Sequence, residues 1–467
     1  MGHFHVWPKV QGEKKTNMKN WFDKKVLILG LSKSGISAAK YLNKAGAEVF
    51  ITELREKKES DENVISELNA EGINVEMGGH SDEFINDAYL AVTSPGIPPH
   101  SEIFKKLKAK NIDIISEVEL AHKESPKPFI AITGTNGKTT TTALTAHILK
   151  EEFKCYACGN IGNPPCDLLD KDVDYFICEM SSYQIATSNV FQAQIACWLN
   201  FTPDHLDWHG GLENYFAAKA KLFTFPQNPA FAIFNGTDEK LLEFSKTVKS
   251  EIFLFAKEVE DNCCYIKNGG IYFKRKKKEE HVIELKDCPL VGEHNWQNVM
   301  CAVIIAKLTG VDNEKIKSAI KSFNAPEHRL EKVCEYKNIT FYNDSKATNP
   351  EAAIVAIKSF DNGNTVLIAG GRDKNTDLTE FCNEVKLHIK TVILIGEASK
   401  RFEENLQQKG FDNIILQQTL ESAIDKAIEL NPEVVLLSPA CASFDMFKSY
   451  ENRGKVFKDY VLSKISQ

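Results

Sequence analysis

The stretch "AITGTNGKTTTTALTAHIL", residues 131–149, decides how the chain is read. A β-type run, "PFIAIT", leads into Gly134. Thr135, Asn136 and Gly137 follow, then Lys138, Thr139 and Thr140 open a helix-compatible apolar pattern. Strand, Gly-rich turn, helix is the geometry that aims backbone N–H groups at an anion. Lys138 supplies a point charge for outer phosphates, and Thr139 a hydroxyl for Mg²⁺. The spacing departs from the general loop G-x-x-x-x-G-K-[ST]: Gly134 stands only three residues before Gly137, and the longer form would need glycine at Ile132. A chance turn between strand and helix is the competing explanation. It leaves the coincidence of Gly, Gly, Lys and Thr unexplained. The loop points to ATP or GTP and leaves open what is phosphorylated.

At 467 residues the chain has room for two or three domains. A hydrophobic share of 43% with 26% charged residues is that of a soluble globular protein. The net charge of −7 argues against general nucleic-acid binding. The run "KRKKK" (274–278) follows the turn signal "NGG" and precedes Glu279 and Glu280, so it reads as a solvated hairpin face. No apolar run approaches the roughly 18–20 residues of a membrane span. The N-terminus has no apolar signal core, and Val6 stands where myristoylation wants Ser or Thr. A cytoplasmic chain is expected, its twelve cysteines free thiols. Cys155 and Cys158 form one C-x-x-C with no second couple at zinc spacing, which favours a buried structural role.

The expected fold class is α/β, in three consecutive domains. Residues 1–17 carry no periodic apolar pattern and read as a weakly ordered leader. Residues 18–120 form a Rossmann-like domain opening with "KKVLILGLSKSGISAAKYLNKAGAEVFITELR" (24–55): strand, Gly turn, helix, strand, then Glu53. Ser32 replaces the middle glycine of that fingerprint, and Glu53 stands for a commoner Asp. Residues 121–325 form a P-loop-type ATP-binding central domain, entered through the linker-like "SPKP". Residues 326–467 form a second Rossmann-like domain. Alternating strands and helices predict mostly parallel sheets, with ligands beyond the carboxyl ends of the strands.

Candidate residues collect at those ends. Glu179 closes the strand "DYFIC" and is a natural Mg²⁺ ligand. "NFTPDHLDWHG" packs Asp204, His205, Asp207 and His209 together; Pro203 and Gly210 bracket them, so a loop or short helix is expected, with His205 the functional histidine. Lys219 and Lys221 of "AAKAKLF" read, from composition, as a solvated helix face. "GEHNWQN" places His294, Asn295 and Asn298 at a helix start, where they cap it or hold an adenine or phosphate edge. Arg329 of "EHRLE" could reach phosphate. "NDSKATNP", "AGGRDK" and "SPACASFDMFKSYENRG" add polar loops after strands.

The order "GTNGKTT", "EMSSYQ", "NFTPDHLD", "YFAAKAKLF", "GEHNWQN", "EHR", "YNDSKATNP", "GGRDK", "SPACASFDMF…RG" resembles the Mur ligases of peptidoglycan synthesis, over nearly the whole chain from about Lys24. "DSKATNP" and "SPACAS" are the specific stretches, because sister Mur ligases and folylpolyglutamate synthases share the ATP loop and differ there. The resemblance implies a monomeric, three-domain, ATP-dependent amide ligase acting on UDP-MurNAc-L-Ala and D-glutamate, with no nucleic-acid or membrane partner. Its implied cofactors are ATP, Mg²⁺ at two sites and a carbamylated Lys219, which overturns the solvated reading of that lysine. Lys138, Glu179, His205 and Lys219 become catalytic, and Thr139, Glu179, His205 and the Lys219 carbamate become metal ligands. Gly134, Thr135, Asn136, Gly137, Lys138, Thr139, Thr140, Asn295, Asn298, Arg329 and Asp344 line ATP. Lys33, Ser34, Glu53, Arg55, Gly96, Asn160 and Ser181 meet the UDP-sugar. Lys346, Thr348, Ser443 and Tyr450 hold D-glutamate. The same-class alternative is another Mur ligase or a folylpolyglutamate synthase-like amide ligase; the competing classes are an NAD-binding dehydrogenase, from residues 30–53 alone, and a nucleotide-binding module without turnover.

Overall fold

A computed structural model describes residues 21–324, 327–360, 363–373 and 375–465. The leader 1–17 and Lys374 of "GGRDK" lie outside the described residues. Among the described residues no helix is long and apolar enough to cross a membrane.

Three sheets follow one another. The first holds β1 (Lys25–Leu29), β2 (Glu48–Glu53), β3 (Asn74–Met77), β4 (Leu90–Thr93) and β5 (Ile114–Ser116), all parallel in the order β3-β2-β1-β4-β5. The second holds β6 (Phe129–Thr133), β7 (Cys155–Gly159), β8 (Tyr175–Glu179), β9 (Ala193–Trp198), β10 (Phe231–Asn235), β11 (Glu251–Phe255), β12 (Cys263–Lys267), β13 (Gly270–Arg275) and β14 (Lys278–Glu284). Its order is β14-β13-β12-β11-β10-β9-β6-β8-β7, parallel up to the antiparallel meander β12-β13-β14. The third holds β15 (Glu331–Tyr336), β16 (Ile339–Asn343), β17 (Thr365–Gly370), β18 (Thr391–Ile395), β19 (Ile414–Leu416) and β20 (Val434–Leu437), in the order β15-β16-β20-β17-β18-β19, with β15 antiparallel. Every residue of β4, β6, β17, β18 and β20 is buried. Such continuous apolar strands mark parallel sheets covered on both faces.

The run "KRKKK" lies on the β13–β14 hairpin: Arg275 pairs with Glu251 of β11 at 3.1 Å, and Lys278 with Glu280 of the hairpin at 3.4 Å. Cys155 and Cys158 are buried free thiols in β7.

Two compact units emerge. One runs to Asp287 and includes Gln297–Lys321; the other is Cys288–Trp296 with the chain from Ser322 onward. The first unit carries two sheets, and polar contacts tie them. Ser37 Oγ donates to Asp167 at 2.5 Å, Tyr41 Oη to Glu124 at 3.0 Å, and the Ser116 and Ser188 hydroxyls meet at 2.7 Å. Glu117, wholly buried, accepts the Cys166 N–H at 2.8 Å, and burial pushes its carboxyl up to about 7.

Candidate active site

The quoted stretch folds as its spacing predicts. β6 ends at Thr133, the turn occupies Gly134–Gly137, and a helix runs Lys138–Leu149. Gly137 is the helix N-cap at φ +80°, and no side chain caps the helix. A Cβ there would stand 2.4 Å from Asn298 Oδ1, so the turn excludes any larger residue twice over. A glycine N-cap brings no side-chain acceptor of its own to the first turn, and the positive dipole end of the helix favours an anion there. The loop itself is braced. Asn200 Oδ1 accepts from Thr135 N at 3.0 Å and Asn136 N at 2.8 Å, and Thr135 Oγ1 meets Tyr215 Oη at 3.1 Å. Lys138 Nζ folds back onto the carbonyls of Gly134 and Thr135, at 2.9 and 2.7 Å. Thr139 and Thr140 are buried, and Asn298 accepts from Thr141 Oγ1 at 3.1 Å. Asn298 thus supports the turn from below.

Lys219 joins this loop from the helix Leu212–Thr224. It is 1% exposed and donates to Gly134 O at 2.8 Å, with its ammonium 4.8 Å from the Tyr215 ring. Burial first, then the Lys138 charge, hold its pKa well below the ordinary lysine value, against the pull of Asp204 and Glu179. The solvated-face reading of "AAKAKLF" is therefore wrong for Lys219. Tyr215, Ala218, Lys219, Leu222 and Phe223 form one buried stripe at helical spacing, a pattern present in the sequence. Lys221 is not solvated either: it is half-buried and donates to Ala186 O at 3.2 Å and to Ser188 O.

Glu179, at the end of β8, is 2% exposed. Its Oε1 accepts from Asn160 Nδ2 at 2.8 Å, while its Oε2 is buried without a partner. An orphaned carboxylate oxygen is costly unless something positive meets it. His205 is half-exposed, in the left-handed region at φ 51°, with Nε2 3.3 Å from Asp204. It caps the single turn Leu206–His209, whose His209 bonds Ser182 Oγ at 2.9 Å. Among the described residues no three His, Cys, Asp or Glu side chains gather closely enough to hold a metal. Ser181 is occupied in a capping box with Gln184.

The first sheet carries the other glycine turn. Ser32 caps the helix Lys33–Lys44, accepting from Gly35 N at 3.3 Å, and its hydroxyl reaches Ser94 at 2.7 Å and Ser34 at 3.1 Å. Glu53 accepts from Leu31 N at 3.0 Å. Ser32 and Ser94 lie at the ends of adjacent β1 and β4, where the strand order reverses; α/β sheets bind ligands at such points. Lys33 donates to Gly162 O, Arg55 forks onto Asp61 at 2.6 and 2.9 Å, and Gly96 is exposed. Arg55 holds the Asp61 carboxyl down at about 2.

The second unit holds a cavity of about 350 Å³ lined by Thr348, Arg372, Asp373, Ala442, Ser443, Phe444 and Tyr450. Three of the four residues expected to hold an amino acid meet there, and Lys346 Nζ lies 5.7 Å from the Tyr450 ring. Burial pushes the Tyr450 hydroxyl up to about 12. Asp344 accepts from Ser438 Oγ at 2.8 Å and Leu330 N at 3.1 Å; burial raises its carboxyl to about 7, against the pull of Ser438 and Arg329. His294 is held down at about 4 by burial and by Arg329. Asn295 donates to Val291 O at 2.8 Å. Asn200, Tyr215 and Arg372 were absent from the sequence-derived set.

A glycine-capped helix start after a buried parallel strand, with two lysines on one loop carbonyl, has the geometry and charge that suit a nucleotide phosphate. Three family models match the chain: "Mur ligase MurD-like, N-terminal domain" over 24–116, "Mur ligase middle domain" over 132–306 and "Mur ligase, glutamate ligase domain" over 328–441. The chain belongs to the Mur ligase family. Within it, the chain is 38% identical over 446 residues to UDP-N-acetylmuramoylalanine--D-glutamate ligase of Thermoanaerobacter pseudethanolicus, covering 94% of this chain and 98% of that one. It is 40% identical over 444 residues to the enzyme of the same name from Bacillus cereus, covering 93% and 96%. The MurF ligase of Thermotoga maritima, solved with ADP, shares the fold at 15% identity and TM-score 0.58, covering 96% of this chain and 97% of that one.

Proposed function

We propose that this chain is the ATP-dependent ligase that adds D-glutamate to UDP-N-acetylmuramoyl-L-alanine in peptidoglycan precursor synthesis. The observation that carries the reading is the identity of 38–40% over nearly the full length of ligases so named. The chemistry follows from the electrophile. A carboxylate resists amine attack, so ATP first phosphorylates the alanyl carboxylate. The D-glutamate amine then attacks the acyl phosphate, and phosphate leaves from a tetrahedral intermediate. Positioning and charge neutralisation supply most of the acceleration.

In this reading the N–H groups of the uncapped helix start and the Lys138 ammonium hold the ATP phosphates. The donor set suits Mg²⁺: Glu179 Oε2, at the end of β8, is a buried, unpartnered hard oxygen, and Thr139 stands in the first turn of the helix Lys138–Leu149. Thr139, Glu179, His205 and Lys219 as its carbamate would hold the metal, whose role is to neutralise phosphate charge. Carbamylation needs a neutral amine. Burial, which holds the Lys219 pKa down, favours that form, and the carbamate keeps one N–H for Gly134 O. Residues 18–120 serve the UDP-sugar, 121–325 ATP, and 326–467 D-glutamate, in a cytoplasmic monomer. Asn295, Arg329 and Asp344 are the nucleotide-binding residues proposed from the second unit; Lys33, Ser34, Glu53, Arg55, Gly96, Asn160 and Ser181 are those proposed for the UDP-sugar.

Phosphate release measured with UDP-MurNAc-L-Ala and a panel of amino acids tests this. Release is expected only when D-glutamate is present. Turnover with a different amino acid, or none with any, overturns the assignment.

A further inference from the structure

The cavity of the second unit holds a cation that no expected role uses. Arg372 lines it, beside the Thr348 and Ser443 hydroxyls and the Tyr450 ring. The neighbouring acid, Asp373, is already neutralised: Arg401 forks onto both its oxygens at 2.7 Å and also donates to Thr376 O at 3.0 Å. Among the described residues no side-chain hydrogen bond or ion pair holds the guanidinium of Arg372, which is exposed and lines the cavity.

Its backbone, by contrast, is fixed. Arg372 N donates to Ala442 O at 2.9 Å, forming an isolated antiparallel bridge with the residue before Ser443. Gly371, at φ +137°, allows this approach, since a Cβ there would stand 2.4 Å from Ala442 O. The fully buried Arg453 clamps the same walls, donating to Ser345 O at 2.9 Å, Ser345 Oγ at 3.0 Å and Cys441 O at 3.1 Å. The cavity is thus a preformed pocket of about 350 Å³, at the small end of ligand sites. It carries one open guanidinium fork.

A planar fork matches a planar carboxylate through two parallel N–H···O bonds, a geometry a lysine cannot reproduce. The incoming amino acid proposed above carries two carboxylates and an amine, and only a carboxylate can accept from Arg372. We infer that Arg372 is a specificity-determining residue: its fork receives one carboxylate of the incoming diacid and selects it over amino acids that lack that group. This rests on the reading of the chain as a D-glutamate ligase.

The test compares the full-length wild type with Arg372→Gln and Arg372→Lys, in phosphate release with D-glutamate, D-glutamine and D-isoglutamine. Wild-type turnover with D-glutamate checks the underlying reading separately. Given that turnover, Arg372→Gln is expected to raise the KM for D-glutamate at least tenfold while the KM for ATP stays within about twofold. Arg372→Lys should fall between the two, because it keeps the charge and loses the fork. The preference for D-glutamate over one of the two amides should drop at least tenfold in Arg372→Gln, and that amide identifies the carboxylate held. A KM for D-glutamate and amide preferences unchanged from wild type overturn the inference. So does a rise in the KM for ATP equal to that for D-glutamate, which marks general damage.

Discussion

Two glycine turns in the first unit share one motif and treat their helices differently. After β1, the turn at Gly30 satisfies itself: Ser32 caps the helix and Glu53 takes the Leu31 N–H. After β6, the turn at Gly134–Gly137 leaves its helix uncapped and brings two lysines to the Gly134 carbonyl. Asn200 uses its acceptor on the loop N–H groups of Thr135 and Asn136, ahead of the helix, and so stiffens the turn without closing its anion site. The motif alone does not make a phosphate site. What matters is whether the protein supplies its own acceptors. The first turn offers hydroxyls and a carboxylate, suited to a polar sugar or base; the second offers positive charge and a helix start whose glycine N-cap brings no side-chain acceptor.

The largest effect should come from the open turn. Lys138→Ala is expected to cut phosphate release by roughly 10³-fold or more, since in the proposed reading it removes the charge that neutralises the ATP phosphates. Thermal unfolding should stay near wild type. A variant with near-normal release would remove this turn from the chemistry.

Lys219→Ala should be nearly inactive, with partial rescue by acetate, because the missing group is a carboxylate in the carbamylated form. Lys221→Ala should keep its kcat and lose about 1 kcal/mol of stability, through its bonds to the Ala186 and Ser188 carbonyls. Reversed outcomes for the two lysines would shift the motif's register by two residues. Full activity in both would return the helix to a purely structural role.

How much of this was legible follows from sequence distance. The open turn is a local pattern, with strand, glycines, lysine and threonine within a dozen residues, and it folds as read. Its brace was invisible, because Asn200 reaches Thr135 across 65 positions and Tyr215 across 80. Lys219 was misjudged from composition although its spacing put it on the buried stripe with Tyr215, Ala218 and Leu222. Arg372 carries no local signal within "GGRDK", because only the fold shows that Arg401 neutralises the acid beside it. Ser32 looked like a defect in the fingerprint, and the structure makes it the feature that closes the first turn.

The seam between the two sheets gives a pH signature. Glu117 is pushed from an ordinary 4.5 to about 7 by burial, so in that window the folded chain binds more protons than the unfolded one. Its contribution is favourable below about 4.5 and is lost as pH rises through about 7. Glu117→Gln keeps an acceptor for Cys166 N and cannot ionise. The melting temperature of this variant relative to wild type should therefore rise as pH increases across that window, and a pH-independent difference would refute the buried-acid account. The smallest effect belongs to the closed turn. Ser32→Ala should cost about 0.5–2 kcal/mol in denaturant unfolding, as cap losses do, with the KM for ATP unchanged. A rise in that KM would make the first turn part of the ATP site and erase the contrast between the two.

The most direct test of the account follows one oxygen atom. UDP-MurNAc-L-Ala labelled with ¹⁸O in its alanyl carboxylate, incubated with ATP, D-glutamate and the full-length chain, should yield phosphate carrying one carboxylate oxygen per turnover, because phosphate leaves the tetrahedral intermediate with that oxygen. Phosphate free of label, with amide product still formed, would contradict the account.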